Sequence, residues 1–99
     1  MADFIYLIHP LREGFFENPT NEENLAVDAH YEYLRTGVES GQVLLAGPCM
    51  DQTFGLVIFQ AKDELAATDF MMKDPSVQTN VMIAELHPFK VSLLECNDP

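Results

Sequence analysis

The stretch Phe4-Ile5-Tyr6-Leu7-Ile8-His9 is apolar at odd and even positions alike. As a β-strand it therefore needs cover on both faces. Pro10 stops it. The same two-faced character returns in residues 55–61, GLVIFQA, where Leu56 and Ile58 alternate with Val57 and Phe59. Residues 43–47, VLLAG, and 81–87, VMIAELH, read as two further strands, ended by Gly47-Pro48 and by Pro88. Any fold for this chain must hide two sides of a sheet.

Two helices are available for the task. Thr20-Asn21-Glu22-Glu23 fits the S/T-x-x-E capping box, which starts a helix near residue 21. Gly41 supplies a left-handed stop. Val27, Tyr31, Leu34 and Val38 form an apolar stripe, with His30 at its edge. Asp28, Glu32, Arg35 and Glu39 lie on the other side, where Arg35 can pair with both glutamates. Asp63 caps a second helix over 64–73, and Asp74-Pro75 ends it, because proline disfavours helical geometry in the residue before it.

The order β-α-β-β-α-β is that of an α+β, ferredoxin-like fold. Right-handed split crossovers give a four-stranded antiparallel sheet in the order 4-1-3-2, with both helices on one face. The other face stays apolar and bare. A chain of 99 residues that is 47% apolar has more greasy surface than one small core absorbs. The expectation is a homodimer, or a higher oligomer, joined sheet face to sheet face. Residues 1–99 are expected to form a single domain, with a frayed tail over about 95–99.

Sixteen acidic residues against five basic ones give a net charge of −11, which argues against nucleic acid and anionic membrane as partners. The acids are scattered, as on a solubilising surface. Cys49 and Cys96 show no metal spacing, and the start MADFIYLIHP has no basic segment before its short apolar run. A cytoplasmic location is expected. No Gly-rich phosphate loop and no flavin or haem signature is present, so no cofactor is expected.

His30 poses the functional question. One reading makes it structural, hydrogen-bonded to a carbonyl or to the hydroxyl of Tyr6, Tyr31 or Tyr33. The other makes it a proton acceptor looking into the gap between helix and sheet, roughly 14 Å along the helix. His9, Arg12, Asp51 and Asp74 all arrive at the end of the sheet where the first strand finishes. His9 is a strand-end histidine that can also reach a pocket rim. Arg12 is a loop arginine with the fork geometry for a substrate carboxylate. Three histidines so spread make no metal motif. Phe15 and Phe16 sit in the 10–20 loop and either pack locally, cover a site or meet a partner.

Ala29-His30, Tyr33-Leu34, Gly41, Leu44-Leu45, Ala46-Gly47-Pro48, Asp51, Gly55 and Asp74-Pro75 stand in an order that resembles the YciI-like (YCII-related) family. Leu86-His87-Pro88-Phe89-Lys90 is similar to its closing segment, and the likeness runs from about residue 4 to 90. Ser76 departs from the bulky apolar residue usual there, and the loop before the first helix is long. The resemblance implies a dimeric α/β barrel with a pocket around a His and an Asp, which map to His30 and Asp74. A carboxylate on one ring nitrogen fixes the tautomer and leaves the other to accept a proton. The expected function is cofactor-free acid/base chemistry, of lyase or isomerase type, on a small organic, aromatic-derived substrate. The alternative is a non-catalytic small-molecule binding or oligomerising accessory protein. Asp74 at the rim and His30 at mid-helix meet only if the Asp74 turn folds inward or the helix begins late; otherwise Asp51 takes its place.

Overall fold

The structure, a computed structural model, describes residues 1–95. Strands β1 (Ala2–Pro10), β2 (Val43–Pro48), β3 (Gly55–Ala61) and β4 (Met82–Phe89) alternate with helices α1 (Asn21–Ser40), α2 (Glu64–Met72) and the single turn α3 (Pro75–Gln78). The sheet is antiparallel in the order β2-β3-β1-β4, which is the expected 4-1-3-2 read from the other edge. α3 is an addition to the expected plan. The tail expected at 95–99 lies, from residue 96 on, outside the described residues.

Strand parity divides the molecule into two faces. Phe4, Tyr6 and Ile8 of β1 and Val57 and Phe59 of β3 turn toward the helices and are buried. Phe59 stacks on Phe70 of α2 at 4.8 Å, and Phe70 stacks on Tyr33 of α1 at 5.0 Å. Such pairs contribute about 0.5–1.5 kcal/mol each beyond the area they bury. Ile5, Leu7, Leu56 and Ile58 point the other way and remain half-buried, with Leu45, Ile83 and Phe89 exposed beside them. The second face is thus uncovered within one chain, apolar at its centre over β1 and β3 and polar toward β4, where Glu85 pairs with His87 and His9 lies nearby.

Both edge strands depart from regular pairing. In β2, Val43 faces Phe59 and Leu45 faces Ile58, so Leu44 is an extra residue in a bulge. β4 runs past its expected end at His87, with Pro88 opposite Phe4 and Phe89 opposite Asp3. Proline lacks an N–H but is tolerated on an edge strand, where that position faces outward.

Helix α1 begins where the capping box says. The Thr20 hydroxyl accepts from Glu23 N–H at 3.1 Å, and Glu23 Oε1 accepts from Thr20 N–H at 2.9 Å. Glu23 is buried because Arg12 reaches across from the 10–20 loop, donating from Nε and Nη2 to its two oxygens at 2.8 Å each. Arg12 Nη2 also donates to the Asn18 carbonyl. One fork therefore ties the loop to the start of the helix. The guanidinium hydrogen bonds, with help from Thr20 N–H, hold the Glu23 carboxyl at about 2. At the other end Gly41 adopts φ 86° and its N–H reaches Val38 O.

Gly37 marks the closest approach of α1 to β2. A Cβ there would lie 2.5 Å from Val43 Cγ2, and Val43 is itself buried. In an exposed helix a Gly→Ala change stabilises by about 1 kcal/mol. Here the overlap outweighs that gain. Gly37→Ala is expected to destabilise by about 1–3 kcal/mol, read as a lower urea midpoint; an unchanged or raised midpoint would refute the close approach. A second expectation follows from Glu23. Its folded pKa lies below the ordinary 4.5, so its pair with Arg12 stabilises fully above that pH and loses its effect as pH falls toward about 2. Arg12→Met should therefore unfold more easily than the parent at neutral pH, and the two urea midpoints should converge through this acid window.

Candidate functional site

The sequence Asp74-Pro75-Ser76 is a helix start as well as a stop. Asp74 is the N-cap of α3, Pro75 takes its first position, and Ser76 N–H donates to Asp74 Oδ1 at 2.9 Å. α3 packs against α1. The turn is thereby folded inward and the Asp74 carboxylate is wholly buried. This resolves the expected separation of Asp74 from His30: α1 still starts at Asn21, and it is the Asp74 turn that moves in.

His30 Nδ1 lies 2.8 Å from Asp74 Oδ2 and 2.9 Å from Oδ1. With a carboxylate as its partner, this nitrogen carries the proton and donates it. Tyr6 O–H donates to Oδ2 at 2.7 Å and Ser76 Oγ–H to Oδ1 at 2.8 Å. A buried carboxylate without partners would be protonated. Burial does push Asp74 up, but the hydrogen bond and charge of His30, then the Tyr6 hydroxyl and Ser76 N–H, outweigh it and leave the carboxyl below its ordinary value. Tyr6 is pushed strongly upward by burial and by Asp74, so it is a firm O–H donor. Tyr33, half-buried nearby, is pushed up to about 12 by burial and by Asp74 and Asp69.

His30 is not at the edge of the buried helix face, as the apolar stripe suggested. The buried positions of α1 are Glu23, Ala26, Leu34 and Gly37. At 100° per residue these centre on His30. Tyr31 and Val38 are exposed, and with Val27 and Leu34 they form one wall of a cavity of about 610 Å³. The opposite wall is the β2–β3 hairpin from Ala46 to Val57, including Cys49, Gln52 and Phe54. Ile8 and Met82 contribute from the sheet, and Phe15 and Phe16 from the 10–20 loop. These two phenylalanines pack edge to face at 5.0 Å and line the cavity without filling it.

His30 lies in that wall with 17% of its side chain exposed. Its Nε2 has no hydrogen-bond partner among the described residues, yet no buried side-chain nitrogen or oxygen there is left unpaired. Nε2 is therefore accessible. The arrangement is a buried, negatively charged anchor behind an imidazole whose second nitrogen is open to a space of ligand size.

The other expected site residues stand elsewhere. His9 has odd parity on β1, so it lies on the bare sheet face and is exposed. Arg12 is engaged by Glu23 and lines a separate surface groove. Asp51 is exposed in the β2–β3 turn, where it accepts from Thr53 N–H at 3.1 Å. None of the three lines the His30 cavity. Two groups of the site were not anticipated in their roles. Tyr6 was considered for His30 but serves Asp74, and Ser76 entered only as a departure from a pattern. The Asp-Pro-Ser cap is the signal that could have found Ser76.

No curated protein matches the chain significantly in sequence. Among solved structures it is similar to 5-chloro-2-hydroxyhydroquinone dehydrochlorinase (TftG) from Burkholderia phenoliruptrix AC1100, in complex with 2,5-dihydroxybenzoquinone. The TM-score is 0.59 at 14% sequence identity, covering 88% of this chain and 93% of that one. A likeness at this identity speaks to the fold. The profile of the YCII-related domain matches residues 5–90. The chain belongs to the YCII-related family.

Proposed function

We propose that the protein is a cofactor-free acid/base enzyme that takes a proton from a small organic ligand. The observation that carries this is the His30–Asp74 pair, with His30 Nε2 open to the cavity. Asp74 fixes the tautomer and faces the imidazolium that forms when Nε2 accepts a proton. Tyr6 and Ser76 hold the carboxylate in place. The structural neighbour named for a dehydrochlorination supports a reaction of lyase type, and the apolar cavity suits an aromatic-derived substrate. Dehydrochlorination needs one base to remove the proton while chloride leaves, which is the service His30 can give. The expected cellular setting is the cytoplasm, and no helix among the described residues is long and apolar enough to cross a membrane.

The working unit in this reading is a homodimer. Ile5, Leu7, Leu56 and Ile58 form the centre of the bare face, and a second copy would cover it. Ile58→Glu is expected to shift the sedimentation coefficient from dimer to monomer or to send the chain into aggregates. A parent chain that sediments as a monomer at micromolar concentration would refute the assembly.

Chloride release from 5-chloro-2-hydroxyhydroquinone, together with deuterium exchange at its ring C–H, tests the chemistry. The parent is expected to accelerate one of the two, and His30→Gln to lower the rate by about 10²–10⁴-fold with the assembly intact. Asp74→Asn should lower it as well. Ligand binding with neither chloride release nor exchange in the parent would favour a binding protein instead.

A further inference from the structure

The cavity beside His30 is larger than a single-ring ligand fills, and Arg35 among its lining residues is already paired. A space of about 150 Å³ holds a benzene ring, and this one measures about 610 Å³. Its walls are side chains such as Val27, Leu34, Val38, Phe54 and Val57. The cation among its lining residues is Arg35, and that guanidinium is already matched: Nη2 donates to Glu32 and Nη1 to Glu39, each at 2.8 Å. A carboxylate or phosphate entering here would lose its hydration and find Arg35 already paired and, in the reading above, Nε2 without a proton to donate. The net charge of −11 opposes it further.

Resting on the acid/base reading above, we propose that the ligand is an elongated, uncharged and mainly apolar molecule. It has a body longer than a single ring, so that a one-ring substrate fills the space only in part, and it presents a proton-bearing polar group at the His30 end. The proton-bearing group meets Nε2, while the apolar body lies between α1 and the β2–β3 hairpin. Selection is against charge as much as for shape, because a buried ion without a partner is costly in such a wall.

Calorimetric titration of the full chain with four probes tests this: 1-naphthol, phenol, 1-naphthoate and 1-methoxynaphthalene. 1-Naphthol should bind about tenfold or more tighter than phenol, since the second ring adds apolar area to be buried. It should exceed 1-naphthoate by a similar factor. Val38→Lys, which places a cation in the wall without touching His30, should narrow the gap between naphthol and naphthoate. In His30→Leu, which removes the acceptor, the advantage of naphthol over its methyl ether should vanish while naphthyl remains preferred to phenyl. Equal binding of phenol and naphthol, equal binding of naphthoate and naphthol in the parent, or a gap that Val38→Lys leaves unchanged would each overturn the proposal. Absence of proton-transfer activity with these preferences intact would sink the catalytic reading and leave the ligand class standing.

Discussion

A single buried carboxylate organises the helix side of the molecule. Removing a charge from water costs several kcal/mol unless hydrogen bonds replace the lost hydration. Asp74 receives donors from three elements: Tyr6 on β1, His30 on α1 and Ser76 on α3. Each element is thereby held to the same point. Tyr6 in turn sits against Phe59 and Phe70 in the aromatic core, so the polar cluster and the apolar core share one residue. The position of the imidazole is consequently set by the packing of the whole helix layer. That degree of support suits the proton-transferring role proposed for it, because such a group's geometry must survive ligand entry.

Much of this was legible in the sequence, and the misses have common physical causes. Capping chemistry and strand composition are local, so the start of α1, its stop at Gly41, the Asp63 cap and the strand order were all readable. Apolar periodicity was less faithful. Tyr31 and Val38 look like core residues in a helical wheel, yet they line an open cavity, and this displaced the inferred inward face away from His30. Hydrophobicity marks a residue that avoids water; whether a neighbour or a ligand covers it is a tertiary fact. Asp74-Pro75 has two local meanings, helix stop and helix start, and only the packing of α3 on α1 shows that both hold. His9 was placed at the correct end of the sheet, but the parity of β1 turns it to the opposite face. Arg12 was read as free when a capping-box glutamate had claimed it. A sequence does not reveal which of several carboxylates a guanidinium will meet.

Charge is distributed to keep the two faces of the site distinct. On α1, Glu32 and Glu39 pair with Arg35 and Glu23 caps the helix, and the cavity wall beside them is mainly apolar. The carboxylate that matters to His30 comes instead from behind, through the protein interior. In the proposed reading a ligand meets the imidazole beside a mainly apolar wall, where an interaction with Nε2 is screened less than it would be in water.

The irregular edges of the sheet carry a consequence of their own. The bulge at Leu44 disrupts the ladder of β2, and Pro88 removes a donor from the rim of β4. Straight, unpaired edges invite foreign strands to add on and grow fibres. Here both outer rims are poor templates for such growth. Strand addition is discouraged at each side, so the assembly proposed above would form on the broad sheet face, where contact between like surfaces can close on itself instead of propagating.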